Sequence, residues 1–207
     1  GDYTVTEYMP VETNWYGTTD NPVLVTLVDD QTVEFGNVCT GAGGGHTKGF
    51  WSNKNGQALV SSGDITELVN LNLRNADGSA FNPASYAAYK AWLSKATATN
   101  MAYMLSAQLS AMKLNVLEGA VNDDFVDGDA LIYAPGTNSA NPLGFASVNA
   151  IMAEANTELG LHGLVVDGSP YRSYQEALKN ALDNANNNLS FLQATPDACP
   201  FSFDVLP

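Results

Sequence analysis

The sequence predicts an α+β protein, a partial antiparallel β-sandwich joined to a mainly helical domain. Three observations predict it. Up to about residue 38 the chain alternates β-branched and aromatic residues with polar ones, the pattern of half-buried strands. From about residue 64 apolar residues recur at three- and four-residue spacing, the period of amphipathic helices. Between them lies Cys39-Thr-Gly-Ala-Gly-Gly-Gly-His-Thr-Lys-Gly-Phe-Trp51, whose glycines read as a junction. The expected organisation is an incomplete sandwich over residues 1–38, a glycine-rich junction over 39–50, a mainly helical domain over 51–198 and a C-terminal strand over 199–207.

Taken in order, residues 3–9 alternate sides as a first strand, and Pro10 ends it by removing a ladder donor. Residues 14–22 hold Gly17 and Asn21-Pro22 and read as a turn-rich connection. Residues 23–28 and 31–35 read as two strands, with Asp29-Asp30 as the hairpin turn between them. Three or so strands cannot close a sandwich that uses about seven, so a face and an edge need cover. After the junction, residues 51–63 are polar and turn-forming, and Asp64 with Glu67 forms a capping box for a short helix carrying Leu68 and Leu71. Asn82-Pro83 opens the longest helical pattern, which runs to Glu118-Gly119 with a possible break at residues 97–100.

Residues 122–128 form an acidic loop and 130–133 a short strand. A further helix starts near Ser147 with Val148, Ile151, Met152, Ala155 and Leu159 as its buried stripe and Gly160 as its stop. Residues 164–166 read as a brief strand. Ser173 with Glu176 marks another capping box, and Leu178, Ala181, Leu182, Ala185 and Leu189 line the last helix. The tail from Cys199 alternates Phe201, Phe203 and Val205 as a final strand.

With 207 residues, 45% of them hydrophobic, the chain can bury a sizeable core. Its formal charge of −14, from 22 acidic and 8 basic residues, offers no basic field for nucleic acid or an anionic membrane. No run of about 18 apolar residues exists to span a bilayer, and the first residues lack the pattern of a signal peptide. Few basic residues and many Asn, Thr, Ser and Gly suit a secreted or surface protein.

The two cysteines, Cys39 and Cys199, are expected to form a disulfide; free thiols, or a zinc set with His46 and His162, are the other readings. Asp123, Asp124, Asp127 and Asp129 supply the clustered oxygens that Ca²⁺ prefers, although their order departs from the EF-hand loop. The other reading is a solvated acidic loop; Asp29 and Asp30 are a second, weaker pair. His46 and His162 are the residues whose ordinary pKa lies near neutrality; His46 is expected to order the junction and His162 to be a helix-end or surface histidine, a general base or a ligand being the other reading of either. No Gly-x-Ser-x-Gly, His-Glu-x-x-His or P-loop occurs, so no catalytic residue is assigned. Glycines 41–45 lack the Lys-Ser/Thr ending of a phosphate loop and read as linker.

Tyr3-x-Val5-x-Glu7-x-x-Pro10, Trp15-Tyr-Gly17 with Thr18-Thr19, residues 23–27 and Phe35-Gly-Asn37 resemble the closing strands of the prealbumin-like B repeats of bacterial surface adhesins, including the collagen-adhesin type. The resemblance implies a sandwich half. In repeats of that family that form a Lys-Asn isopeptide bond, it implies an assisting role for Glu7 and an acceptor role for Asn37; the lysine belongs to a first strand for which this sequence has no counterpart. From His46 onward the chain resembles a type of uncharacterised secreted bacterial domain carrying Gly49-Phe50-Trp51, a segment like 100–108 and an ending like 175–183. That resemblance implies a secreted or surface location.

The function expected is a non-enzymatic extracellular structural protein that self-assembles into a filament or surface layer by strand addition, as a homo-oligomer or polymer. Tyr3, Val5, Phe201, Phe203 and Val205 are the expected subunit interface. The alternatives are a monomeric adhesion module with a carbohydrate or matrix ligand and, third, a secreted hydrolase.

Overall fold

The structure, a computed structural model, describes residues 1–195 and 199–202. It is α+β, with antiparallel strand pairing. The chain divides into two compact units: the first holds Gly1–Gly41 together with the chain from Leu192 on, and the second is Ala42–Phe191. The second unit is thus an insertion in the sequence of the first. The first unit ends three residues later than the sandwich region read from sequence, and it takes in the tail.

In the first unit β1 (Asp2–Val5) pairs antiparallel with β3 (Val23–Thr26), Tyr3 opposite Val25 and Val5 opposite Val23. This register puts four large side chains on one face of the ribbon. β2 (Trp15–Gly17) pairs antiparallel with β4 (Asn37–Gly41). Thr40 N–H donates to Asn14 O and Thr18 N–H to Gly36 O, which extends this ladder at both ends. Two expectations are corrected here. Residues 31–35 form no strand and no hairpin with 23–28, because β3 is taken by β1 and the chain beyond residue 35 is taken by β2. Residues 14–22, read as a connection, contain β2, and Cys39 sits inside β4 rather than in a linker.

The disulfide between Cys39 and Cys199 forms, with a Cα–Cα distance of 6.4 Å, and both cysteines are buried. It joins two parts of the first unit and leaves neither sulfur for zinc. Residues 199–202 are not strand. Trp15 Nε1–H donates to Pro200 O, and Val11 N–H donates to Ser202 O. The remainder of the expected C-terminal strand, with Phe203 and Val205, lies outside the described residues.

The second unit is organised around α5 (Met101–Gly119), whose residues are buried on nearly every side. Its small residues Ala102, Ser106, Ala107, Ser110 and Ala111 are all buried, which lets neighbouring helices approach closely. Ser106 and Ser110 return their hydroxyl protons to Ala102 O and Ala107 O, so no donor is stranded. Packed on it are α6 (Val148–Leu161) and α7 (Arg172–Asn186), with α1 (Lys48–Trp51) and α3 (Ser62–Val69) also in contact. Trp51, Leu68, Leu105, Leu109, Ile151, Leu159, Leu178 and Leu182 belong to one continuous core. A small sheet, β5 (Leu131–Tyr133) beside β6 (Phe145–Ser147), closes one side, and Ile132 pairs with Phe191 of β7 (Phe191–Leu192).

Several helix boundaries differ from the sequence reading, each for a hydrogen-bonding reason. The polar stretch 51–63 contains α2 (Lys54–Leu59), capped by Asn53. Ser61 caps α3, and Asp64 is the far partner of that capping box, its carboxylate accepting from Ser61 N–H. The long pattern 82–118 is two helices, α4 (Tyr86–Leu93) capped by Ser85, and α5 capped by Asn100. Asn100 makes the break: its Oδ1 accepts from Ala102 and Val165 N–H, and its Nδ2 donates to Asn75 and Gly163 carbonyls. The same bonds occupy Val165, so 164–166 is not a strand. No Ser173–Glu176 box forms; α7 starts from Tyr171 without a side-chain cap. Asn188, at a φ of 63°, turns the chain out of α7 and leaves Leu189 exposed rather than in the helical stripe.

The boundary between the two units falls within the glycine-rich stretch, and from Gly43 on that stretch is fixed against the second unit. Asn188 Oδ1 accepts from Gly43 N–H at 2.6 Å and Gly45 N–H at 3.0 Å. A Cβ on Gly45 would stand 1.9 Å from Ala185 O, so glycine is required there by close approach to α7. His46 N–H donates to Asn115 Oδ1 of α5, and Asn115 Nδ2 donates back to His46 O.

Candidate assembly surface

The β1–β3 ribbon holds Tyr3 and Val5, two residues of the expected interface. Gly1 and Leu27 exchange both main-chain bonds, Leu27 N–H to Gly1 O at 2.9 Å and the Gly1 amino group to Leu27 O at 3.2 Å. In an antiparallel ladder such pairs alternate with non-bonded ones. Tyr3, Val5, Val23 and Val25 therefore bond inward between the strands. The N–H and C=O groups of Asp2, Thr4, Leu24 and Thr26 point away from the ribbon. Of these only Thr26 O meets a described partner, Gln31 Nε2 at 3.4 Å.

The ladder ends by a specific device. Asn21 Oδ1 accepts from Glu7 N–H and Asn21 Nδ2 donates to Glu7 O, both at 3.0 Å. Glu7 is the next inward-bonding position, and the Asn21 amide reproduces there the reciprocal bonds of a strand residue. Asn21 precedes a cis bond to Pro22.

The faces of the ribbon differ. On one, Val25 is buried and Val5 half-buried, while Tyr3 remains 55% exposed; on the other, Leu24 is 73% exposed beside Asp2, Thr4 and Thr26. Thr26 Oγ1 donates to Asp2 Oδ1 across that second face. Leu27, Val28 and Tyr8 extend the exposed apolar surface. Phe201 of the expected interface packs edge-to-face on Trp15, with ring centroids 6.1 Å apart. Ser202 is fixed by Glu12, which accepts from its hydroxyl and N–H; these bonds hold the Glu12 carboxyl below the usual carboxylate range.

Glu7 and Asn37, the pair singled out by the adhesin resemblance, are together. Asn37 Nδ2 donates to Glu7 Oε1 at 2.5 Å, while Asn37 Oδ1 is buried without a hydrogen-bond partner. The acidic loop behaves differently. Asp123, Asp127 and Asp129 border a cleft of about 360 Å³ with Phe125 and Asn149, and Asp124 does not line it. Asp127 Oδ1 accepts from Asp129 N–H and Asp129 Oδ1 from Asn149 Nδ2. Among the described residues no three His, Cys, Asp or Glu gather as a metal site. The calcium expectation for these four aspartates thus finds no assembled ligand set among the described residues; the Asp127 and Asp129 oxygens are engaged by Asp129 N–H and Asn149. Asp29 and Asp30 join no such group either.

Both histidines occupy packed positions. His46 stacks on Phe125 with centroids 4.4 Å apart, and its Nδ1 lies 3.0 Å from Gly44 O. His162 stacks on Tyr171 at 3.5 Å, with Nδ1 2.9 Å from buried Glu158. A separate carboxylate, Glu154, accepts from Asn138 N–H, Ser139 N–H and Tyr174 OH. Burial raises its pKa, but these hydrogen bonds outweigh burial and hold it below the usual range. Burial and the hydrogen bond to Glu154 push the Tyr174 phenol up.

The sequence reading missed Asn21 and Thr4, the residues that end the ladder and open its edge. Asn-Pro was legible as a turn signal, but the use of the side chain as a false strand partner had no pattern to reveal it. Among the described residues no helix is long and apolar enough to cross a membrane. Compared with known proteins, the chain matches no family model, no curated protein and no solved structure.

Proposed function

We propose that the chain is a non-enzymatic extracellular structural subunit that assembles through strand addition between copies. One observation carries the reading: a four-residue, two-stranded ribbon has outward N–H and C=O groups on both edges with apolar side chains exposed beside them. Unpaired edges of this kind are templates for another strand, and a two-stranded ribbon gains most of its stability from further strands. The buried disulfide within the first unit suits an oxidising compartment, and the acidic charge supports solubility of the free subunit.

Sedimentation and negative-stain electron microscopy of the purified chain, at about physiological ionic strength to screen its charge, test the reading. Filaments or sheets that grow with protein concentration are expected. Material that stays a monomer at every concentration, with and without Ca²⁺, overturns it.

A further inference from the structure

Building on the strand-addition reading, we infer that the partner at the outer edge of β1 is β1 of a second copy, paired antiparallel about a two-fold axis through Thr4. The argument begins with which edge is open. On β3 the outward carbonyl of Thr26 is already met by Gln31, and Asp29 and Asp30 follow the strand directly. On β1 the outward groups of Asp2 and Thr4, and those of Thr6 beyond them in the same alternation, meet no described residue. An added strand therefore finds a full set of donors and acceptors on β1 and an interrupted set on β3.

The sequence of β1 then selects the partner and register. Pairing must place outward residues opposite outward residues. With Thr4 opposite Thr4 of the second copy, Asp2 stands opposite Thr6 and Thr6 opposite Asp2. Every outward position from 2 to 6 is then used. Sliding the register two residues one way sets Tyr3 against Tyr3 and gives up the Tyr3–Val5 pairs, and two residues further sets Asp2 against Asp2, a like-charge contact. Sliding it the other way leaves Asp2 without a bonded partner. In the chosen register the carboxylate of Asp2 faces a hydroxyl, and Tyr3 faces Val5 on the opposite face, an aromatic and β-branched cross-strand pair. Tyr3 is more than half exposed in the single chain, so this pairing covers it.

The contact is isologous and closes on itself. It makes a four-stranded sheet in the order β3-β1-β1-β3 with both β3 edges outward. The dimer, not the single chain, is then the repeating unit of any larger assembly.

The test uses the full chain and two variants. Thr4→Pro removes an outward N–H; the Tyr3 and Val5 bonds to β3 point the other way, so the ribbon itself is spared. Thr4→Cys adds the sole free thiol, since Cys39 and Cys199 are bonded to each other. Across the axis the two Cα atoms would lie about 5.5 Å apart, within disulfide range. Expected are self-association at least tenfold weaker for Thr4→Pro at unchanged melting temperature, and a covalent dimer of Thr4→Cys on mild oxidation. The cysteine variant keeps the question open to an answer if the proline variant fails to fold. Parent and Thr4→Pro assembling equally, or Thr4→Cys failing to cross-link while it still assembles, overturns the β1 pairing and leaves strand addition at another edge standing. A parent chain that never associates overturns both.

Discussion

Replacing Asn115 by alanine tests the account of the glycine-rich stretch most directly. Asn115 is fully buried in α5, and its amide makes four bonds. Oδ1 accepts from His46 N–H and from the Trp51 indole N–H, both at 3.1 Å. Nδ2 donates to His46 O at 2.8 Å and Asn186 Oδ1 at 2.9 Å. Truncation strands two donors in the core and removes the donor on which Asn186 Oδ1 relies. Each buried orphan costs roughly 1–3 kcal/mol. A water entering the vacated space recovers part of that, so the expected loss is about 4 kcal/mol, a fall in melting temperature of roughly 8–16 °C for a unit of this size. Calorimetry of parent and variant measures it, with Asn115→Leu as a control that fills the volume and restores no bond. If Asn115→Ala loses less than about 1 kcal/mol, or Asn115→Leu is as stable as the parent, the amide does not hold the stretch and the reasoning is wrong.

Other perturbations follow from the same structure. Gly45→Ala, which would bring a methyl to 1.9 Å from Ala185 O, is expected to cost about 3 kcal/mol or more because both atoms belong to fixed backbone; equal denaturation midpoints would count against the close packing. Glu154→Gln is expected to destabilise by about 2 kcal/mol at neutral pH through weakened charge-assisted bonds. Because the folded-state pKa of Glu154 is depressed from 4.5, its contribution is present above that value and lost as pH falls through the folded pKa; a difference between variant and parent that does not shrink as the pH is taken down from 4.5 through the acid range refutes the assignment. For the disulfide, the naive loop is 160 residues long. Yet the ring of Phe191 lies against Gly43, so the folded second unit holds its own ends together. The effective loop is then of the order of ten residues, and Cys39→Ser with Cys199→Ser should cost about 3 kcal/mol rather than about 5. Urea midpoints on the double variant distinguish the two.

What the sequence disclosed depended on the length of the repeating signal. Helices α5, α6 and α7 announced themselves because Leu105, Leu109, Ile151, Leu159, Leu178 and Leu182 recur often enough to define a buried face. Strands of three residues, such as β2 and β6, are too short for alternation to register. The strand pairing was misread because adjacency favoured a hairpin, while the stable choice joined β1 to β3 and β2 to β4 across intervening chain. Glycines signalled freedom, and here they meet the steric demand of backbone against α7 and Phe191. At the candidate surface, Tyr3 and Val5 were legible as strand residues. The open edge was not, because it depends on which way the Thr4 N–H points, and that follows from the pairing register alone.

The placement of the disulfide also has a mechanical meaning. A pull applied between β1 and the C-terminal tail reaches Cys39 from one side and Cys199 from the other. The S–S bond carries that tension directly between them. Residues 40–198, and with them the entire helical unit, lie off the load path. A chain of that length would otherwise release roughly 500 Å of extension. In an assembly joined through the first unit, the helical unit would ride along the strained backbone as unloaded cargo, its stability decoupled from the force on the polymer until the disulfide is reduced.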